Sequence, residues 1–319
     1  MTLQTPEPQP TSVPTASPTS APAQTAPVLC IGSVLWDVIG RAPRQMRAGA
    51  DVPGRITRLP GGVALNIARV LARLGITPVL LSAIGRDAEG EELIAACAAL
   101  GLVTDHVFRP DDLPTDVYMA VEDAQGLIAA IADAHSLEQA GARILHPLTH
   151  GPLGNDAAPY AGVIALDGNL TETLLTEIAE HPAFAAADLR VAPASPGKAL
   201  RLRPFLRHAR ATLYVNLEEA GLLCGESFDS AEVAARTLAD RGASRVLVTD
   251  GARPASEAGR SHDSLSLAPP RVEIARVTGA GDTFMAAHIA AEAAGQPRDT
   301  AFASALAAAA RHVSGDTAP

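Results

Sequence analysis

From Val28 onward, short apolar runs alternate with helix-forming stretches, and this alternation restricts the possible folds more than any other feature of the chain. Such a pattern marks βα units feeding a mostly parallel sheet. Val28-Leu29-Cys30-Ile31-Gly32 reads as the first strand. A helix follows Gly61-Gly62, with Val63, Ile67, Val70, Leu71 and Leu74 on one face, and stops at Gly75. The strand Pro78 to Gly85 and a helix from about Ala88 to Leu100, ended by Gly101, repeat the unit. Further strands are expected at Gly162 to Leu166, Leu189 to Ala192, Leu213 to Val215 and Arg245 to Thr249. Helices are expected at Ala231 to Arg241 and Thr283 to Ala294.

Two regions break the rhythm. Arg41 to Leu59 is rich in Arg, Gly and Pro with little helical period. Asp116 to Val121 turns at Glu122-Asp123-Ala124-Gln125-Gly126 into Leu127 to Ala132, the pattern of a hairpin inserted into an α/β protein. An insert of this kind can form a small sheet beside the main one and act as a lid that excludes water. Gly251 to Pro270 reads as loop with at most one weak strand.

At 319 residues the chain suits one generous α/β domain, placed here at residues 28–313, with lid inserts at about 41–59 and 115–133. Residues 1–27, rich in Pro, Thr, Ser and Ala, read as a disordered tail without the basic start and apolar segment of a signal peptide, and 314–319 as a short C-terminal tail. The net charge of −10 argues against nucleic acid or an anionic membrane as partner. No apolar stretch is long enough to span a bilayer. Cys30, Cys97 and Cys224 form no CxxC pair, so no disulfide framework or zinc site is indicated, which fits a reducing cytoplasm.

The most informative motif is Thr278-Gly279-Ala280-Gly281-Asp282-Thr283-Phe284. A glycine turn there leaves backbone N–H groups free at a helix N-terminus, where the dipole favours an anion, and fixes Asp282 beside it. An acceptor hydroxyl against Asp282 can lose its proton while the N–H cluster holds charge on a transferred phosphate. The same residues also suit an ordinary helix cap. Asp37 follows the first strand, where α/β sheets place ligands. Gly61-Gly62 allows close approach at the start of a helix that carries Asn66 one turn in. Asn216 and Glu219 lie three apart on one helix face, an arrangement that serves either phosphate and magnesium or a capping box.

In this order, Gly32 and Asp37, the Gly-Gly helix with Asn66, the hairpin, Asn216-x-x-Glu219, Thr249-Asp250-Gly251 and Gly279-Ala280-Gly281-Asp282, the chain resembles the ribokinase-like (PfkB) family of carbohydrate and nucleoside kinases. The resemblance spans about Val28 to Val313. It implies a three-layer α/β/α sandwich with a small β-sheet lid, ATP as donor, Mg2+, and in many members a monovalent cation such as K+ near the anion hole. Carried over by position, Asp282 is the base and Gly279, Ala280 and Gly281 the anion hole, with Thr278 beside the nucleotide. Asp37, Gly61, Gly62 and Asn66 face the sugar; Asn216, Glu219, Thr249 and Gly251 form the nucleotide side, with Glu219 toward the metal.

Three details are similar to the pseudouridine-kinase branch, which acts on a nucleoside 5′-hydroxyl: Gly-Gly-Val-Ala-Leu-Asn-Ile-Ala, the run Ala130-Ile131-Ala132-Asp133, and Val277 before Thr278. That likeness makes Thr115 and Asp133 candidates to face the substrate. It also leaves ribose, another furanose or adenosine as alternative acceptors, and a catalytically idle sensor as a third reading. Three positions depart from the family. Arg276 stands where Asp or Asn is common near the cation site, which counts against K+; Gly221 and Ala192 replace common acidic residues. The nine histidines are scattered and read as surface or core residues, with His135 close behind Asp133. A lid sheet with open edges and an apolar face suggests a homodimer.

Overall fold

The computed structural model describes residues 26–316, so the expectations for the N-terminal tail and for the last three residues lie outside the described residues. The chain runs β1 (Val28–Ile31), β2 (Leu35–Arg41), β3 (Arg55–Gly61), α1 (Val63–Arg73), β4 (Pro78–Leu81), α2 (Ala88–Ala99), β5 (Val117–Asp123) and β6 (Gly126–Asp133). It continues through α3 (His135–Ala140), α4 (His146–Thr149), the two-residue strands β7 (His150–Gly151) and β8 (Gly154–Asn155), β9 (Val163–Asp167), α5 (Glu172–Glu180) and β10 (Asp188–Ala192). The last third holds β11 (Ala211–Asn216), α6 (Leu217–Cys224), α7 (Ala231–Asp240), β12 (Arg245–Asp250), β13 (Arg253–Gly259), β14 (His262–Leu267), α8 (Ala280–Ala293) and α9 (Arg298–Val313).

Eight strands form the main sheet in the order β14-β13-β12-β11-β10-β9-β1-β4, parallel from β12 to β4. Alternation along each strand divides the core in two, as the period of two requires. Leu29 and Ile31 of β1 join one cluster with Leu175 of α5, Ala220 of α6 and Leu238 of α7. Val28 and Cys30 join the other, with Leu65 of α1, Leu93 of α2, Met285 of α8 and Phe302 of α9. The result is the expected three-layer arrangement, with the parallel strands β1, β4, β9, β10, β11 and β12 largely buried and reading mainly as apolar runs.

The lid is larger than the sequence indicates. It is a four-stranded sheet in the order β3-β2-β5-β6. Asp37 therefore sits inside a strand, paired with Leu59 and Tyr118, and not in a loop beyond β1. The second half of the Arg41 to Leu59 segment is likewise a strand. Arg55 to Leu59 is exposed, so no apolar period marks it, and pairing to β2 fixes its conformation. The Gly251 to Pro270 segment holds two antiparallel strands, β13 and β14, at the edge of the main sheet, where mixed polar sequence hides the period.

A buried ionic network ties α8 to the amino-terminal half of the sheet, away from the ligand edge. Arg190 pairs with Asp188 at 2.5 Å and with Glu292; Arg245 reaches Glu292 at 2.5 Å and Glu257 at 2.8 Å; Arg298 reaches Glu257 at 2.8 Å. The Tyr214 hydroxyl lies 2.8 Å from Nδ1 of the fully buried His288. Burial drives the His288 pKa down to about 4, so the imidazole is neutral at pH 7. The unfolded chain then binds this proton first as pH falls. Full stability is present above the unfolded value of 6.5 and is lost toward pH 4, by up to about 3 kcal/mol. Comparing the wild type with His288→Gln cancels the other titrating groups. The wild-type advantage in Tm should shrink steadily between pH 7 and 4.5, and a constant difference would contradict this account.

Candidate active site

Two sets of side chains gather at the carboxyl edge of the main sheet, one beside β1 and one beside β11 and β12. Beside β1, Gly62 holds φ +97° and an added Cβ would stand 2.3 Å from the Ser33 carbonyl oxygen, so only glycine lets α1 start this close to β1. The Val63 N–H donates to Ser33 Oγ at 3.0 Å, satisfying one of the free amides of α1. One turn in, Asn66 Nδ2 donates to Asp282 Oδ2 at 2.9 Å, while Arg69 Nη2 donates to Asn66 Oδ1 at 3.1 Å. The Asp37 carboxylate lies over Gly61, where an added Cβ would meet Oδ2 at 2.0 Å. Asp37, Gly61, Gly62, Asn66 and Asp282 are thus brought together from β2, the β3–α1 junction and α8.

The electrostatics suit proton transfer. Burial raises the Asp282 pKa to about 7, with the neighbouring Asp167 and Asp37 charges pushing the same way; the Asn66 hydrogen bond and Arg69 oppose them. A base near pH 7 is matched to take a proton from an alcohol at neutral pH. Asp37 is raised to about 6 by burial, moderated by Arg69. At the start of α8 the cap residue Gly279 has φ +84°, and no side chain caps the helix. The amides of Gly279, Gly281 and Asp282 donate to no protein acceptor among the described residues, the condition under which a helix start can receive an anion.

On the other side, Asn216, Thr249 and Gly251 line a groove of about 750 Å3 together with Leu222 and Phe228. Asn216 and Glu219 form a capping box: Asn216 Oδ1 accepts from the Glu219 N–H at 2.9 Å, and Glu219 Oε2 accepts from the Asn216 N–H at 2.8 Å. Glu219 is buried behind the groove, and burial raises its pKa to about 7. Gly221 lies against the Glu226 carbonyl, 2.7 Å from where a Cβ would be, so the acidic side chain common at this position has no room.

Thr115 and Asp133 are not brought into either set. Thr115 is buried and its hydroxyl donates to Asp87, the N-cap of α2, whose Oδ2 also accepts the Thr115 N–H at 2.7 Å. Asp133 pairs across from Val117, on the lid face opposite Asp37, and contacts His135 at 2.8 Å. The structure thus places Thr115 at the cap of α2 and Asp133 on the other face of the lid from Asp37, where a helix cap and strand alternation account for these polar side chains.

Sequence reasoning missed a second layer. Asp167, at the end of β9 and fully buried, accepts from the Ser33 N–H at 2.8 Å, the Ser33 hydroxyl at 2.6 Å and the Asn169 N–H at 2.7 Å. Lys198, the one lysine of the sequence, donates to Asn169 Oδ1. The Asp167-Gly168-Asn169 turn at the carboxyl end of an apolar strand was the available signal, because parallel sheets hold ligand residues there. Arg69, three residues after Asn66, was detectable only as the next residue on the same helix face.

Comparison with known proteins agrees with this geometry. Residues 25–318 match the pfkB family carbohydrate kinase profile. The chain is 31% identical over 263 residues to the pseudouridine kinase of Escherichia coli (strain K12), covering 81% of each protein. Its structure is similar to a carbohydrate kinase from Agrobacterium tumefaciens, with TM-score 0.74, 28% identity and 89% of each chain covered. It also shares its fold with an Arabidopsis thaliana ribokinase complexed with ribose and ATP, at TM-score 0.71 and 20% identity over 90% of this chain and 92% of that one. The chain belongs to the PfkB family of carbohydrate kinases and has the ribokinase-like fold. It is accordingly an ATP-dependent phosphotransferase that acts on an alcohol group.

The Asn66–Asp282 contact has a measurable consequence. Asn66 donates to the carboxylate and stabilises its charged form, so Asn66→Ala should raise the pKa of Asp282 further. The acid limb of the kcat/KM profile should move upward from about pH 7, with activity partly recovered at higher pH. An unshifted limb in the variant would show that the contact does not tune the base.

Proposed function

We propose that this kinase transfers the γ-phosphoryl group of ATP to the 5′-hydroxyl of a ribonucleoside, with pseudouridine the preferred acceptor. The observation that carries this reading is the Asp282 carboxylate, held by Asn66 beside the free amides of α8 and across from Asp37. The hydroxyl gives its proton to Asp282, its oxygen bonds to the γ-phosphorus, and the bond from that phosphorus to the β,γ-bridging oxygen breaks, leaving ADP. The α8 amides hold the charge of the transferred group. Asp37 accepts from the vicinal ribose hydroxyls. Leu59, Tyr118 and Ala132 share its lid face, an apolar and aromatic surface for a flat base. Similarity to the Escherichia coli pseudouridine kinase supports the choice of nucleoside.

Asn216, Thr249 and Gly251 line the nucleotide groove in this reading. Magnesium would be held through water by the hard oxygens of Glu219 and Asn216, which the capping box keeps side by side. Bound magnesium supplies neutralising charge on the phosphate oxygens. The lid face opposite Asp37 exposes Ile56, Met119 and Ile131, at 80%, 45% and 62%, and pairs with a second copy of the chain.

Three measurements test the proposal. Asp282→Asn should lower kcat by about 10² to 10⁴ with KM changed only a few-fold; near-normal turnover removes Asp282 as base. An ADP-release panel should give highest kcat/KM on pseudouridine, whereas turnover of ribose but not pseudouridine would reassign the acceptor and leave the kinase intact. Light scattering should find a dimer that Ile131→Asp converts to monomers; a monomeric wild type would sink the lid pairing.

A further inference from the structure

The anion turn ahead of α8 has no side-chain cap of its own, and its conformation is set from the far end of the chain. The last turn of α9 lies beneath it. Val313 O accepts from the N–H groups of Ala275 and Arg276 at 2.9 and 3.1 Å, and His312 O accepts from Arg276 Nε at 2.9 Å. The His312 ring then reaches the turn itself, with Nε2 2.8 Å from the Thr278 carbonyl oxygen. A carbonyl oxygen only accepts, so Nε2 carries the hydrogen. The ring also lies under Gly279: a Cβ there would stand 3.2 Å from Nε2 and 3.3 Å from Cε1.

Peptide geometry gives this contact a role in the reaction. In a trans peptide the C=O of one residue and the N–H of the next point in opposite directions, and no cis bond occurs among the described residues. Fixing the Thr278 carbonyl on His312 therefore turns the Gly279 N–H away from α9, toward the edge where the amides of Gly281 and Asp282 are also free. Without that anchor, glycine at φ +84° has other low-energy conformations, and rotation of the peptide would put a carbonyl oxygen where the anion binds.

We propose that His312 is a positioning residue for phosphoryl transfer: it orients the Thr278–Gly279 peptide so that the Gly279 amide becomes a donor to the transferring phosphoryl group. The inference rests on the kinase reading above and adds to it a residue outside the motif. Among the described residues no hydrogen bond or ion pair joins His312 to Asp282, and His312 does not line the groove of Asn216 and Thr249, so its effect falls on the charge that develops in the transition state and not on ground-state binding.

The test compares the wild type with His312→Ala and His312→Gln. Loss of one preorganised donor should lower kcat in His312→Ala by about 10- to 1,000-fold, with KM for both substrates within about threefold. His312→Gln, which keeps an N–H donor, should recover a large part of the loss. The affinity for ADP with aluminium fluoride, a mimic of the transferring group, should fall in His312→Ala in step with kcat, while ADP alone binds as in the wild type. Unchanged kcat in His312→Ala, a glutamine variant no better than alanine, or equal loss of ADP and ADP–fluoroaluminate binding would each overturn the assignment. A wild type that turns over no alcohol acceptor at all would instead refute the kinase reading, and the two failures are thereby separate.

Discussion

The hydrogen bond from Asn66 to Asp282 joins two helices whose N-termini come from opposite ends of the chain, and the chemistry of the edge depends on that meeting. Neither helix start is capped by its own preceding side chain: Gly62 precedes α1 and Gly279 precedes α8, both at positive φ. Helices that begin on serine, threonine or aspartate use their first amides internally. Here the first amide of α1 is used by Ser33 Oγ, while those of Gly279, Gly281 and Asp282 at α8 have no acceptor among the described residues. The contrast lies within the same molecule, because α2, α5, α6 and α7 carry side-chain caps from Asp87, Thr171, Asn216 and Ser230. An N–H group bonded to its own cap residue is not free to donate to anything else.

Burial is the second requirement. Burial keeps the Asp282 pKa high, and the nearby Asp167 and Asp37 charges add to it in a smaller way. The arrangement tolerates three close acids because Asp167 is satisfied by Ser33 and Asn169, while Arg69 offsets charge on the other two. Arg69 Nε itself is buried with no hydrogen-bond partner, a cost accepted to keep a cation beside the two carboxylates. The rigid support comes from below, where the Arg190, Arg245 and Arg298 network fixes α8 to the sheet.

Much of this was legible in the sequence, for identifiable reasons. Buried parallel strands such as Val28–Ile31 and Arg245–Asp250 announce themselves because both faces must be apolar. The glycine turns are legible because only glycine fits positive φ with a neighbour at 2.3 Å, as at Gly62. The lid strand Arg55–Gly61 and the edge pair Arg253–Gly259 and His262–Leu267 were not legible, since strands held by pairing and exposed on a face carry no period. Of the site residues that escaped, Ser33 meets Asp167 and Asn169 across 134 and 136 residues, which leaves no local trace, whereas Asn169 and Arg69 act on near neighbours and left only the weak signals of a strand-end turn and a shared helix face.

Two departures from the family pattern acquire physical meaning from their surroundings. Gly221 is required by the carbonyl of Glu226, so that turn of α6 has no room for a second acidic side chain beside Glu219. Arg276 belongs to the junction with α9, where a cation meets the carbonyl end of a helix dipole. A positive charge fixed covalently at that helix end travels with the turn it supports and cannot dissociate. The anion site is thereby coupled to α9: any displacement of that helix shifts His312 and Arg276 together, and with them the peptide that presents Gly279. The C-terminal helix is for this reason part of the site's support, although it contributes no group to the reacting atoms.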